Sequence, residues 1–213
     1  MLVGNHPGVT DWRIARNFIE SFAVSLKSLE STIDPGVTIY EAYFQYGSAN
    51  TDLTSQNYRV RNNSIEMILT APVPGLSPLY GLTNVLSAYG QPDDVWLRTL
   101  PEPYNGFLPM WLVIGYSKSG FLVSFEEETK LKAGTISACF DEAIPVFWLW
   151  PAERHASLCD IARTRMDFSE YDLLAYRRLE EVTTMDAAAL YQASRANISA
   201  ICLETEASLW SLP

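Results

Sequence analysis

His155 and Cys159 stand four residues apart, the spacing that puts a thiol and an imidazole on one face of a helix across ERHASLCDIARTR. A nucleophile and its base usually converge from separate elements, so adjacent turns of one helix are a poor source of such a couple. The second histidine, His6, lies close to the N-terminus, and two histidines leave little room for imidazole ligation, so no metal and no cofactor are expected. Among the carboxylates, Asp93 and Asp94 follow Pro92 and read as turn chemistry, while Glu126, Glu127 and Glu128 read as a solvated face. Glycosidase-type hydrolysis would need two such groups at a defined separation. The chain contains no G-x-S-x-G, H-E-x-x-H, phosphate-loop or dinucleotide fingerprint, so a non-catalytic protein is expected.

Charge and size narrow the classes further. With 213 residues, 48% hydrophobic and 19% charged, the chain can fold as one large domain or two small ones. A net charge of −10 argues against a nucleic-acid partner or an anionic membrane surface, and the densest basic cluster is Arg177-Arg178 after Tyr176. No run reaches the length of about eighteen apolar residues that spans a bilayer. The opening MLVGNHPG lacks the charged and apolar regions of a secretory leader. A cytoplasmic location follows if the sequence is complete as given, and the cell envelope or the exterior if a leader was removed. Cys139, Cys159 and Cys202 form no C-x-x-C pair and read most simply as buried free thiols. If a disulfide forms, Cys139 and Cys202 are the pair expected, tying the C-terminal segment back onto the sheet.

The elements that would position these residues follow from periodicity. Ile14, Phe18, Phe22, Leu26 and Leu29 step by four and three after the caps Thr10 or Asp11, which predicts one helix whose stripe is read as facing the core in preference to a partner groove. Thr38 to Tyr46 has capping-box spacing and is read as a short helix stopped by Gly47, with a strand through IYEAYFQYG left open. NYRVRNNSIEMILT reads as a hairpin about Asn62-Asn63. Leu79, Leu82, Val85, Leu86 and Tyr89 make a second helix closed by Gly90, and VWLRTL, LPMWLVIGY and GFLVSF read as strands, the last two joined through SKSG. EEETKLKAG is expected to be a solvated loop or edge, and TISACF and VFWLWP to be strands with Trp148 and Trp150 sharing a face. TTMDAAALYQASRAN reads as a helix capped at Thr183 or Thr184. Leu209, Trp210 and Leu212 are expected to dock near the end.

Two helix stops, Tyr46-Gly47 and Tyr89-Gly90, lie 43 residues apart, each before strands, which raises an internal duplication as one reading. The fold expected is α+β, with helices packed on an antiparallel sheet and two tandem helix-plus-sheet units as its finer form. Residues 1–213 would form one compact body, with sub-units at 10–71 and 77–151 and a helical or irregular wrap over 152–213.

The stretches YGQPDDVWL (Tyr89 to Leu97), FWLWPAE (Phe147 to Glu153) and CLETEASLW (Cys202 to Trp210) resemble a group of bacterial proteins, many of which carry lipoprotein or secretory leaders. The likeness runs from about Ile33 to the C-terminus, and it implies a family without implying an activity. A helix ending in Gly-x-Pro before a meander also resembles, at the level of fold, small outer-membrane lipoproteins of the SmpA/OmlA type and the β-lactamase inhibitor protein, which implies a binding surface. The function expected is a protein-binding or structural module, a subunit of a larger assembly with another protein as partner, and such a module should expose an apolar patch. A small-molecule or peptide binder would instead show a pocket near Trp96, Trp111, Trp148 or Trp150. A hydrolase would bring Asp93, Asp94 or Glu126 together in a cleft.

Overall fold

The apolar stepping that begins at Ile14 does not run on as one long helix. A computed structural model describes residues 5–32, 34–48, 53–73, 78–103, 106–140, 142–152, 175–196 and 201–210. Helix α1 covers only Trp12–Glu20, and Ser25–Glu30 is a strand, β1. Asp11 caps α1, its Oδ1 accepting the Arg13 N–H at 2.8 Å. Ser21 closes it: its N–H and its hydroxyl both donate to the Phe18 carbonyl, at 3.1 and 2.6 Å, which tightens the last turn and redirects the chain. The residues facing the core are Trp12, Ala15 and Ile19, not Ile14, Phe18 and Phe22. Leu26 reaches the same core from a strand, and Leu29 is 66% exposed.

Val37–Gln45 is a strand, β2, rather than a helix. The Thr38 hydroxyl donates to Glu30 Oε1 across the strand pair at 3.0 Å, so no capping box forms. Its dense aromatic and β-branched residues suit a pleated surface, where alternate side chains pack on opposite faces. β3 (Leu53–Arg61) and β4 (Ser64–Thr70) follow as a hairpin whose two turn residues, Asn62 and Asn63, both take positive φ, 47° and 63°. A register shift between Arg59 and Val60 marks a bulge in this pair. Because β2 is a strand, the stop at Tyr46 is not the counterpart of the helix stop at Tyr89, and the 43-residue correspondence between two helix ends falls away.

Helix α2 (Leu82–Tyr89) ends at Gly90, whose φ of 82° and N–H bond to the Leu86 carbonyl at 2.9 Å need no side chain. The strands that follow are β5 (Asp94–Thr99), β6 (Pro109–Tyr116), β7 (Phe121–Glu128), β8 (Lys130–Lys132), β9 (Thr135–Cys139) and β10 (Pro145–Leu149). Glu126, Glu127 and Glu128 end β7. After residues 153–174, which lie outside the described residues and include His155 and Cys159, come β11 (Arg177–Arg178), helices α3 (Leu179–Val182) and α4 (Ala187–Arg195), and strand β12 (Cys202–Glu206). The cap of α4 is Asp186, whose Oδ1 accepts the Ala189 N–H at 2.7 Å. The Thr183 hydroxyl instead donates to the Leu179 carbonyl at 2.8 Å and closes α3.

The fold is α+β and dominated by strands, which are mostly antiparallel. No described helix is long and apolar enough to cross a membrane. The chain divides into two compact units. The first comprises residues 1–75, 117–122 and 146–167. Its strands run in the order β1-β2-β3-β4-β10, and α1 covers one face of them through Trp12, Ala15 and Ile19 against Ala42, Tyr58, Val60, Ile65 and Ile68. The Trp12 ring packs on Tyr40 at 4.3 Å and Tyr58 at 5.4 Å between centroids. Burial of side chains of this size stabilises by about 1.5–3 kcal/mol each. In the same unit Gly120 accepts the Trp150 N–H at 2.8 Å with φ of 70°, and a Cβ there would overlap the Trp150 carbonyl. The second unit comprises residues 76–116, 123–145 and 168–213. It holds β6-β5-β11 and the small sheet β12-β9-β8, with α2 against α4. Trp210 is buried near its end and donates its Nε1–H to Thr205 Oγ1 at 3.0 Å.

Candidate functional site

The four tryptophans singled out by sequence have three different fates. Trp96 and Trp111 belong to the second unit, one on each of the paired strands β5 and β6. Trp111 stands opposite Arg98, whose guanidinium lies 5.0 Å from its ring centroid and 5.6 Å from that of Tyr176. Trp96 stands opposite Arg178, whose guanidinium lies 5.2 Å from its ring and bridges to Asp94 at 3.3 Å. One face of each ring is thus taken up by a cation within the unit. Trp150 is 4% exposed and is an interior residue of the first unit. Trp148 lines a cavity.

Cys139 and Cys202 are joined by a disulfide and are direct partners across the antiparallel pair β9–β12. The Phe140 N–H bond to the Ile201 carbonyl at 3.0 Å makes the next pair the hydrogen-bonded one, so the cysteines sit at the close-approach position of the ladder. Of the carboxylates, Asp94 is held by Arg178, while Asp93 and Glu126 are exposed. Among the described residues no three His, Cys, Asp or Glu side chains gather as a metal site.

The cavity, about 450 Å³, lies on the first unit's sheet, on the face away from α1. Strand register builds it from two rows. One runs Leu29, Ile39, Arg59, Met67, and the other Lys27, Glu41, Asn57, Leu69, Trp148, each residue the direct partner of the next. Its floor is apolar and its charges are matched. Arg59, nearly fully buried, donates to Asp34 Oδ2 at 2.6 Å, and Arg61 donates to Oδ1 of the same carboxylate at 2.5 Å. The Arg61 hydrogen bond foremost, and then that of Arg59, hold the Asp34 carboxyl below its ordinary range despite partial desolvation. A hydrogen bond to Glu41 pushes the Tyr43 phenol up, and the Lys27 ammonium sits 5.1 Å from the Tyr43 ring centroid.

On the other side of the sheet, α1 carries more apolar surface than the sheet covers. At about 100° per residue, Ile14 and Phe18 fall roughly 100–140° from the centre of the Trp12, Ala15, Ile19 arc, so the apolar arc extends past the contact. Ile14 is 70%, Phe18 39% and Phe22 63% exposed, and the Phe18 and Phe22 rings pack on each other at 4.9 Å. Arg13, paired with Asp11, and Arg16, paired with Glu20, lie on the helix's polar arc.

Comparison of the chain with family models, curated proteins and solved structures finds no match. From the sequence the stripe was read for the core in preference to a partner groove, and the cavity was not legible. The stripe was visible as a stripe, and only its width relative to one helix-on-sheet contact hinted that half of it would stay outside. The cavity draws Leu29, Ile39, Met67 and Leu69 from three strands, and no linear pattern joins them.

Proposed function

We propose that this protein is a non-catalytic binding module that docks another protein through the apolar stripe of α1. The observation that carries the reading is the exposure of Ile14 and Phe22, 70% and 63%, on either side of the packed Phe18 ring. Large neighbouring apolar side chains held in water by α1 and the turn that follows it form the kind of surface that association covers. The occupant is a different protein rather than a second copy, because a net charge of −10 on each chain makes copies repel. The partner's contact surface is apolar with a neutral to basic surround. In this reading the two compact units are helix-plus-sheet modules, the first of which carries the docking helix.

The test compares the tagged chain with the variant Ile14→Ser, Phe18→Ser, Phe22→Ser, each purified gently from the native host. The wild type should elute in a complex with a stoichiometric second protein, and the variant should elute as a folded monomer without it. A complex that survives the triple substitution, or a wild type that elutes alone, would remove the stripe from consideration.

A further inference from the structure

We propose that the outer edge of β1 is a second binding site, which takes an extended, uncharged segment of a partner polypeptide as an added strand. Among the described residues β1 is the terminal strand of its sheet, with β2 on one side only. The Ser31 N–H donates to the Val37 carbonyl at 2.9 Å, and Ser31 falls in register with β1 against β2. Antiparallel pairs alternate, so Leu29 and Lys27 direct their backbone groups to β2, and Leu26, Ser28 and Glu30 direct theirs to the open edge. Such an edge is a template for one more strand.

Natural sheets often block this edge with lysine or proline. Here no proline lies in β1, and Lys27 is folded back over the Tyr43 ring on the sheet face. The cavity continues from the edge. Its wall includes three consecutive residues, Lys27, Ser28 and Leu29, although alternate side chains of a strand point to opposite faces, so the backbone of β1 forms part of the wall. A strand laid beside β1 would place every second side chain next to Leu29, at the open end of the row that leads to Ile39 and Met67. The ionic groups there cancel: Arg59 against Asp34, and Lys27 beside Glu41. An apolar, uncharged side chain fits that floor, and a charged one would lose its hydration without gaining a counter-ion.

The site is separate from the α1 stripe, which lies on the other face, and the experiment keeps the two apart. A random dodecapeptide display library is panned on the full 213-residue chain, and the most enriched peptide is synthesised with a fluorophore for anisotropy. A second synthesis carries N-methyl groups on alternate residues, in both phases. The expected peptide alternates apolar and small uncharged residues. One N-methyl phase and Ser28→Pro should each weaken binding about tenfold or more, the equivalent of one lost hydrogen bond. Ser28→Pro removes no internal bond, since that N–H faces outward, and Leu29→Lys provides a second variant at an exposed position that should also weaken binding. The triple α1 variant should bind as the wild type does. The proposal is overturned if no peptide enriches above an unrelated control protein, or if the winner tolerates both N-methyl phases and both β1 variants. It is equally overturned if only the α1 variant abolishes binding. The appearance of an edge-to-edge dimer that Ser28→Pro dissolves would overturn the choice of a foreign strand in favour of a second copy.

Discussion

Asn63 donates its side-chain N–H to Asp11 Oδ2 over 2.6 Å, joining the tip of the β3–β4 hairpin to the first turn of α1. The Trp12 N–H donates to the Asn63 carbonyl at 2.9 Å beside it. Through these two bonds one turn residue sets where the helix begins on the sheet, and so how far Trp12 reaches between Tyr40 and Tyr58. The exposed stripe of Ile14 and Phe18 is a consequence of the same placement.

Asn63→Gly should therefore separate the side-chain bond from the turn. Glycine tolerates the φ of 63°, so the hairpin persists while the link to Asp11 is lost, at a cost of about 1–2 kcal/mol in urea denaturation. Asn63→Ala should cost about 1 kcal/mol more, because alanine resists the left-handed conformation. Equal stability of Asn63→Gly and wild type would mean that the Asp11 contact contributes nothing in solution.

Acid should weaken the first unit through Asp11 and Asp34. The carboxyls of both are held below their ordinary range, Asp11 chiefly by its hydrogen bonds from Arg13 and Asn63, and Asp34 chiefly by Arg61 and then Arg59. A folded-state pKa below the unfolded value of about 3.9 gives stabilisation that is complete above that value and is lost as pH falls through the depressed one. Asp34→Asn should lower stability at pH 7 by about 2 kcal/mol, since Arg59 stays buried without its carboxylate partner. The same variant should show a shallower loss as pH falls below about 4. Urea midpoints across that range decide it, and an unchanged slope would exclude Asp34 as a source of the acid response.

Reduction of the Cys139–Cys202 bond should destabilise the second unit. The cysteines are 63 residues apart in sequence, and a loop of that size corresponds to about 4 kcal/mol in the chain-entropy account, with measured losses nearer 2–4 kcal/mol. Both residues are exposed, so reductant reaches them. Added dithiothreitol should bring the wild-type urea midpoint to that of Cys139→Ser, Cys202→Ser and leave the double variant where it is. A wild type indifferent to reductant would mean that the bond is not formed in solution.

The sequence by itself determined the places where the chain must turn, because those depend on single residues. Gly90 closes α2, Asn62-Asn63 turns the hairpin, and Gly120 precedes β7, each through a positive φ that few residues accept. The α+β class and the strands β5, β6, β7, β9 and β10 were legible for a related reason, since aliphatic and aromatic runs between turn residues have few other uses. Tertiary structure decided the rest. A three- and four-residue step from Ile14 to Leu29 is compatible with one long helix, and only the bonds of Ser21 to Phe18 and the pairing of β1 with β2 divide it in two. Tyr40, Tyr43 and Phe44 suit either a helix or a strand until β1 and β3 stand on both sides of them. Which apolar residues remain in water is likewise a property of what covers them: Trp150 is enclosed, Trp96 and Trp111 are capped by arginines, and Ile14 and Phe22 are left out. Local conformational preference is written residue by residue, whereas burial depends on which distant segment arrives, and that is set by the free energy of the whole packed chain.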